Sequence, residues 1–150
     1  MAGCRKPVCG HLSQMINTTI AVFALALLLG GMIFFAAVMA PLVFTRLPAS
    51  QAGTFIRAVF PVYYLYVLAT SVIAALALAT RWDGAVMAVV ALLTIWLRQA
   101  LMPRINTLGD AARSGDSAAK RRFDAAHRMS VVLNVAQIIA IGVVLARVAA

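Results

Sequence analysis

The chain has 150 residues, 64% of them hydrophobic and only 11% charged, where a soluble domain carries about a quarter charged residues. With a mean hydropathy of +0.98, this composition excludes a soluble globular domain and leaves one membrane domain that occupies the whole length. The net charge of +9, from 13 Lys+Arg against 4 acidic residues, does not indicate nucleic acid. No RNP-like or helix-turn-helix pattern accompanies it, and basic residues collect beside the anionic headgroups of the cytoplasmic leaflet.

Residues 1–14 form a polar tail, and residues 15–150 are expected to form an all-α, polytopic membrane domain: an antiparallel bundle of four transmembrane helices. Cys4 and Cys9, with His11, offer a sparse soft-metal set in the tail, since thiolate and imidazole suit Cu(I) or Zn. Two cysteines and one histidine fall short of a closed site. Arg5 and Lys6 ahead of an apolar run resemble a signal peptide. The run from Ile16 to Phe44 is too long for one and is not followed by an A-x-A cleavage pattern, so it reads as a retained helix.

The first span is expected over about 19–40, some 33 Å long and enough to cross the hydrocarbon core. Ala26 and Gly30 make a small-xxx-small pair, and Pro41 is expected to end or kink the helix at Ala40. A first loop over about 45–59 follows. The second span, about 60–80, has Pro61 in its first turn, Tyr63, Tyr64 and Tyr66 at belt depth, and a stripe of Ser71, Ala75 and Ala79. Arg81 to Gly84 reads as a tight turn. The third span, about 85–105, carries Arg98 and Gln99 near its end and closes at Pro103. The fourth, about 129–147, extends back to about Ser117 as a basic helix capped by Ser114 or Asp116.

In an up-down bundle the polar residues gather at one end. His127, Ser130, Asn134 and Gln137 follow an i, i+3, i+7, i+10 spacing and share one face of helix four. Arg98, Met102 and Asn106 form a stripe on helix three, and Tyr63, Tyr66 and Thr70 one on helix two. The candidate ligand-binding set is therefore His127, Asn134, Asn106, Arg98, Tyr64, Ser130 and Gln137. Each has a plainer reading beside it: Arg98 snorkelling, the tyrosines as belt residues, Asn134 and Gln137 as interhelical hydrogen-bond partners. No carboxylate lies within a span, which argues against a carboxylate proton relay and against hard cations. No catalytic Ser-His-Asp, Walker or dinucleotide pattern is present.

P41LVF44, A52G53, I56 followed by P61xYY64, L101MPRIN106 and F123xxxHxxSxxLN134 resemble the transmembrane-protein-205-like family, a four-span membrane domain of unknown function. The resemblance covers about residues 22–140. It implies a four-span fold and places Pro41, Pro61, Tyr64, Pro103, Asn106, His127, Ser130 and Asn134 in the family pattern. The family commonly has a basic residue where this chain has Gly109, which weakens an anion clamp at that turn.

The functional expectation is a non-enzymatic membrane protein, with no assigned cofactor, that binds or passes a small solute or soft metal ion at this end. The alternatives are a cofactor-free oxidoreductase or oxygenase acting on a lipophilic aromatic substrate, with His127 as acid/base and Asn106 and Asn134 as donors, and a structural packing subunit. The bilayer is the expected partner, with a homo-oligomer as a further one; nucleic acid is not. The expected location is a bacterial inner (plasma) membrane. Eight Lys and Arg in loops one and three, against four on the other side, put both termini outside the cytoplasm.

Overall fold

The computed structural model describes residues 6–150, with side chains from Gly10 onward. Cys4 and the side chain of Cys9 lie outside that range. Four long helices make up the described residues. Helix α1 consists of Lys6–Phe34, a π-helical turn at Phe35–Met39, and Ala40–Arg46. Helix α2 is Ala49–Ala77. Helix α3, Trp82–Arg113, has a second π-helical turn at Leu97–Leu101. Helix α4 is Ser117–Ala149. All four are long and apolar enough to cross a membrane, where every backbone N–H and C=O must be satisfied within the protein. The molecule is an all-α four-helix membrane bundle.

The helices run beyond the spans that hydropathy marks, and of Pro41, Pro48, Pro61 and Pro103 only Pro48 falls at a break. Pro41 does not end α1. The π turn before it widens the coil, the Ala40 N–H donates to the Phe35 carbonyl, and the helix continues to Arg46. Pro103 is passed in the same way, with the Met102 N–H donating to the Leu97 carbonyl. The break falls instead at Pro48, because a residue before proline is driven out of the helical region. Leu47 is extended at φ −108°, ψ 146°. The expected loop over 45–59 therefore shrinks to Leu47 and Pro48, and Pro61 lies well inside α2 rather than in its first turn.

The other two turns are also built from local chemistry. Gly84 packs so closely on the end of α2 that a Cβ there would overlap the Leu78 carbonyl and lie 3.1 Å from the Ala75 carbonyl. Beside it the buried Asp83 accepts from Arg81 at 3.3 Å and from Arg147 at 3.1 Å, tying the start of α3 to the end of α4. Gly115 takes a positive φ of 99°, which costs glycine nothing. Asp116 then caps α4 by accepting from the Ala118 and Ala119 N–H groups at 2.8 and 3.0 Å.

The helices form a ring in which α1 packs on α2 and α4, and α3 packs on α2 and α4. Leu25, Leu28, Met32, Val67, Leu78, Met87, Leu97 and Ile141 fill the centre. Phe23, Leu27, Leu76, Val89, Leu92 and Ile139 point outward, as a lipid-facing surface does. Ala26 and Gly30 also face outward, so that pair makes no close approach within the bundle. The close contact with α2 comes one residue later, where the Tyr66 ring lies over Gly31 and its hydroxyl donates to the Leu27 carbonyl. In the α2 stripe Ser71 is buried, Ala75 half-buried and Ala79 exposed.

Packing differs between the two ends. The Lys6–Phe34 part of α1 touches both α2 and α4, whereas Ala40–Arg46 packs chiefly on α2. Likewise Trp82–Trp96 packs mainly on α2, and Met102–Arg113 packs on α4. Past the two π turns the bundle thus separates into two arms.

Candidate functional site: a cavity between the arms

A cavity of about 560 Å3 lies between the arms and is lined from all four helices. Phe35, Ala36, Ala40 and Phe44 of α1 form one wall; Ile56, Phe60 and Tyr64 of α2, with Met102 and Ile105 of α3, continue it. Phe123, Val131, Val135 and Ile138 close it from α4. The lining is mostly apolar, and the polar groups sit at definite heights.

At the floor is an aromatic cluster. Phe35 stacks on Tyr63 with ring centroids 4.4 Å apart, and Phe60 meets Phe35 edge-on at 5.4 Å. Tyr63 is buried beneath the floor, and its hydroxyl donates to Asn134 Oδ1 at 3.2 Å. That bond fixes the half-buried Asn134 and leaves its amide NH2 to donate toward the cavity it lines.

At mid-height, Asn106 and Ser130 line the wall. The Asn106 carbonyl accepts from Arg57 Nη2 at 3.1 Å. Ser130 Oγ donates to the His127 carbonyl at 2.7 Å, so its hydroxyl is turned to its own helix and does not pair with the imidazole. His127 stacks parallel on Phe123, with centroids 5.9 Å apart.

The mouth is cationic. Arg57, Arg113 and Lys120 reach it from α2, α3 and α4. Arg57 forms a fork with Asp110, Nη1 to Oδ2 at 3.1 Å and Nη2 to Oδ1 at 2.8 Å, and Arg113 pairs with the same carboxylate. Lys120 reaches Asp124 at 3.1 Å. Two guanidiniums share one carboxylate, so positive charge remains in excess at the rim.

Of the candidates that the sequence suggests, His127, Asn134, Asn106, Tyr64 and Ser130 line this one cavity. Gln137 and Arg98 do not. Gln137 is buried one turn below and donates to the Val90 carbonyl at 3.2 Å and to Thr94 Oγ1 at 3.1 Å, which makes it a tie between α4 and α3. Arg98 is exposed on the outside of α3. A four-residue spacing aligns side chains only in a regular α-helix, and the π turn between Arg98 and Met102 breaks that alignment. His11 is exposed near the opposite end of α1. Among the described residues, no three His, Cys, Asp or Glu side chains form a metal-binding group.

Sequence reasoning does not find Arg57, Phe60, Arg113 or Lys120. A signal exists: Gly53, Arg57, Phe60 and Tyr64 are spaced i, i+4, i+7, i+11 along one face of α2. It is hidden if α2 is taken to begin near Pro61, which puts Arg57 in a loop. Gly109 lies where Phe123 and Arg57 converge; a Cβ there would meet the Phe123 ring at 3.2 Å and Arg57 at 3.5 Å.

The fold and cavity define a small polytopic helical membrane protein with an apolar chamber inside one end of its bundle. The chain belongs to the family described as domain of unknown function (DUF4149), which matches residues 23–114. That stretch holds α1 from Phe23, all of α2 and all of α3; the α4 wall of the cavity lies beyond it. Neither the curated proteins nor the solved structures compared with the chain include a match.

Proposed function

We propose that the protein binds a small, largely apolar molecule with one polar end in the cavity between the arms, and that it does so as a binding or passage protein rather than an enzyme. One observation carries this reading: all four helices contribute to a mostly apolar cavity of about 560 Å3 with cations at its mouth, within the roughly 300–1,000 Å3 typical of small-molecule sites. The stretch from Phe123 to Asn134 lies past the matched residues and supplies the fourth wall. Hydrolytic chemistry finds no nucleophile–base pair here, since Ser130 is bound to backbone. A soft metal ion is less well served than an organic guest, with Met102 and His127 as the soft donors in the lining.

The eight Lys and Arg at the cavity end support a cytoplasmic mouth in an inner membrane, with both termini outside. Native mass spectrometry with elemental analysis, on gently purified protein, tests the binding reading. Wild type should retain an organic mass that His127→Ala weakens and the cavity-filling Ile56→Trp abolishes, with both variants folded. A metal in place of the organic mass, or a wild type as empty as Ile56→Trp, would overturn it.

A further inference from the structure

We propose that the cavity opens sideways into the bilayer between α1 and α4, and that its ligand is a single-chain amphiphile with an anionic head, drawn from the leaflet at that end. This rests on the binding reading above and adds the ligand class and its route.

The route follows from how the arms diverge. Across the α2–α3 side, Arg57 spans the gap by its bonds to Asp110 and to the Asn106 carbonyl. Across the α1–α4 side at this end, no side-chain hydrogen bond or ion pair joins the two helices among the described residues. The lips there are Ala36 and Phe44 of α1 and Val131 and Val135 of α4, all exposed and all part of the cavity lining. The apolar chamber and the lipid-facing surface are therefore continuous, and a hydrocarbon chain can pass between them without crossing the charged rim.

The head group follows from energetics. Moving a chain from lipid tails into an apolar cavity gains little, because the bilayer is as apolar as the pocket. Selective binding must come from the polar end. That end meets Arg57, Arg113 and Lys120, from three helices, and basic groups at a helix-bundle end attract anionic head groups. Guanidinium groups match phosphate and carboxylate oxygens, and the Asp110 carboxylate that Arg57 and Arg113 share balances only one of their two charges.

The test uses the full chain in phosphatidylcholine nanodiscs, with dodecyl phosphate, dodecanol and inorganic phosphate as probes, read by native mass spectrometry. Dodecyl phosphate should bind at least about tenfold more tightly than dodecanol, the scale of one charge-assisted hydrogen bond. Arg113→Gln with Lys120→Gln should remove that preference; these exposed residues are used because Arg57 also ties α2 to α3. Val135→Trp, on the outer lip, should weaken dodecyl phosphate without lowering the melting temperature. Equal binding of the two dodecyl probes would overturn the anionic-head proposal while leaving the binding reading intact. Binding of neither would sink both. Displacement of dodecyl phosphate by equimolar inorganic phosphate, or no effect of Val135→Trp, would overturn the bilayer source.

Discussion

Gly30 lies within α1 and Gly84 in the first turn of α3, which begins at Trp82 and takes in the expected tight turn, and the two glycines do different work there. A methyl group at Gly84 would overlap the Leu78 carbonyl, a backbone atom that cannot move aside, whereas one at Gly30 meets nothing within 4 Å. We expect Gly84→Ala to cost about 1–3 kcal/mol, as overpacking does, and Gly30→Ala to be neutral or slightly stabilising through helix propensity. Melting temperatures in detergent check the pair; equal shifts would contradict the packing assigned to the α2–α3 turn. The polar stripe on α4 divides in the same way. His127, Ser130 and Asn134 face the cavity, and Gln137, one turn on, is used up by Val90 and Thr94. Spacing put all four on one face, but only the neighbouring helix decides which of them meet a void and which meet a partner.

At the level of elements, the cavity lies between the arms that follow the two π turns. Each precedes a proline by the same interval, Phe35–Met39 before Pro41 and Leu97–Leu101 before Pro103, and past each the arm changes neighbours. Proline in a sequence marks strain but not its resolution: a helix can stop, kink or widen. Here it widens twice and stops at Pro48, where Leu47 becomes extended. For that reason helix identity was legible from hydropathy while helix ends and the Arg98 register were not. The start of α4 was legible, because Asp116 ahead of a breaker-free run is an N-cap pattern. Its carboxyl is held below its ordinary value of 3.8, first by the Ala119 N–H and then by that of Ala118. A depressed folded pKa means a contribution that is full above the ordinary value and is lost as pH falls through the folded one. The stability gap between wild type and Asp116→Ala should hold from neutral pH down to about 5 and narrow below 4. A gap that widened on acidification, followed by circular dichroism, would contradict the cap.

On the scale of the whole molecule, a chain with no formal charge between Lys6 and Arg46 leaves few alternatives to spanning a membrane. The four-helix bundle is therefore legible in the sequence. The end that holds the polar residues is legible too, since four alternating helices bring those segments together. The cavity is not, because a void depends on how arms diverge, and Arg57 and Arg113 are hidden in presumed loops. The charge asymmetry also has a direct check. In a background with Cys4→Ser and Cys9→Ser, Ser114→Cys should resist a membrane-impermeant maleimide in intact cells and Thr80→Cys should react; the reverse pattern would invert the orientation. The central claim is that the chamber takes a lipophilic guest inside the membrane. Photolabelling with a diazirine-bearing dodecyl phosphate in native membranes, followed by peptide mapping, tests it most directly. Labelling of Tyr64, Ile105 and Phe123, suppressed by excess dodecyl phosphate, is the predicted result. Label confined to outward-facing Leu76, Leu92 and Ile139 would show the guest staying in the bilayer and would contradict it.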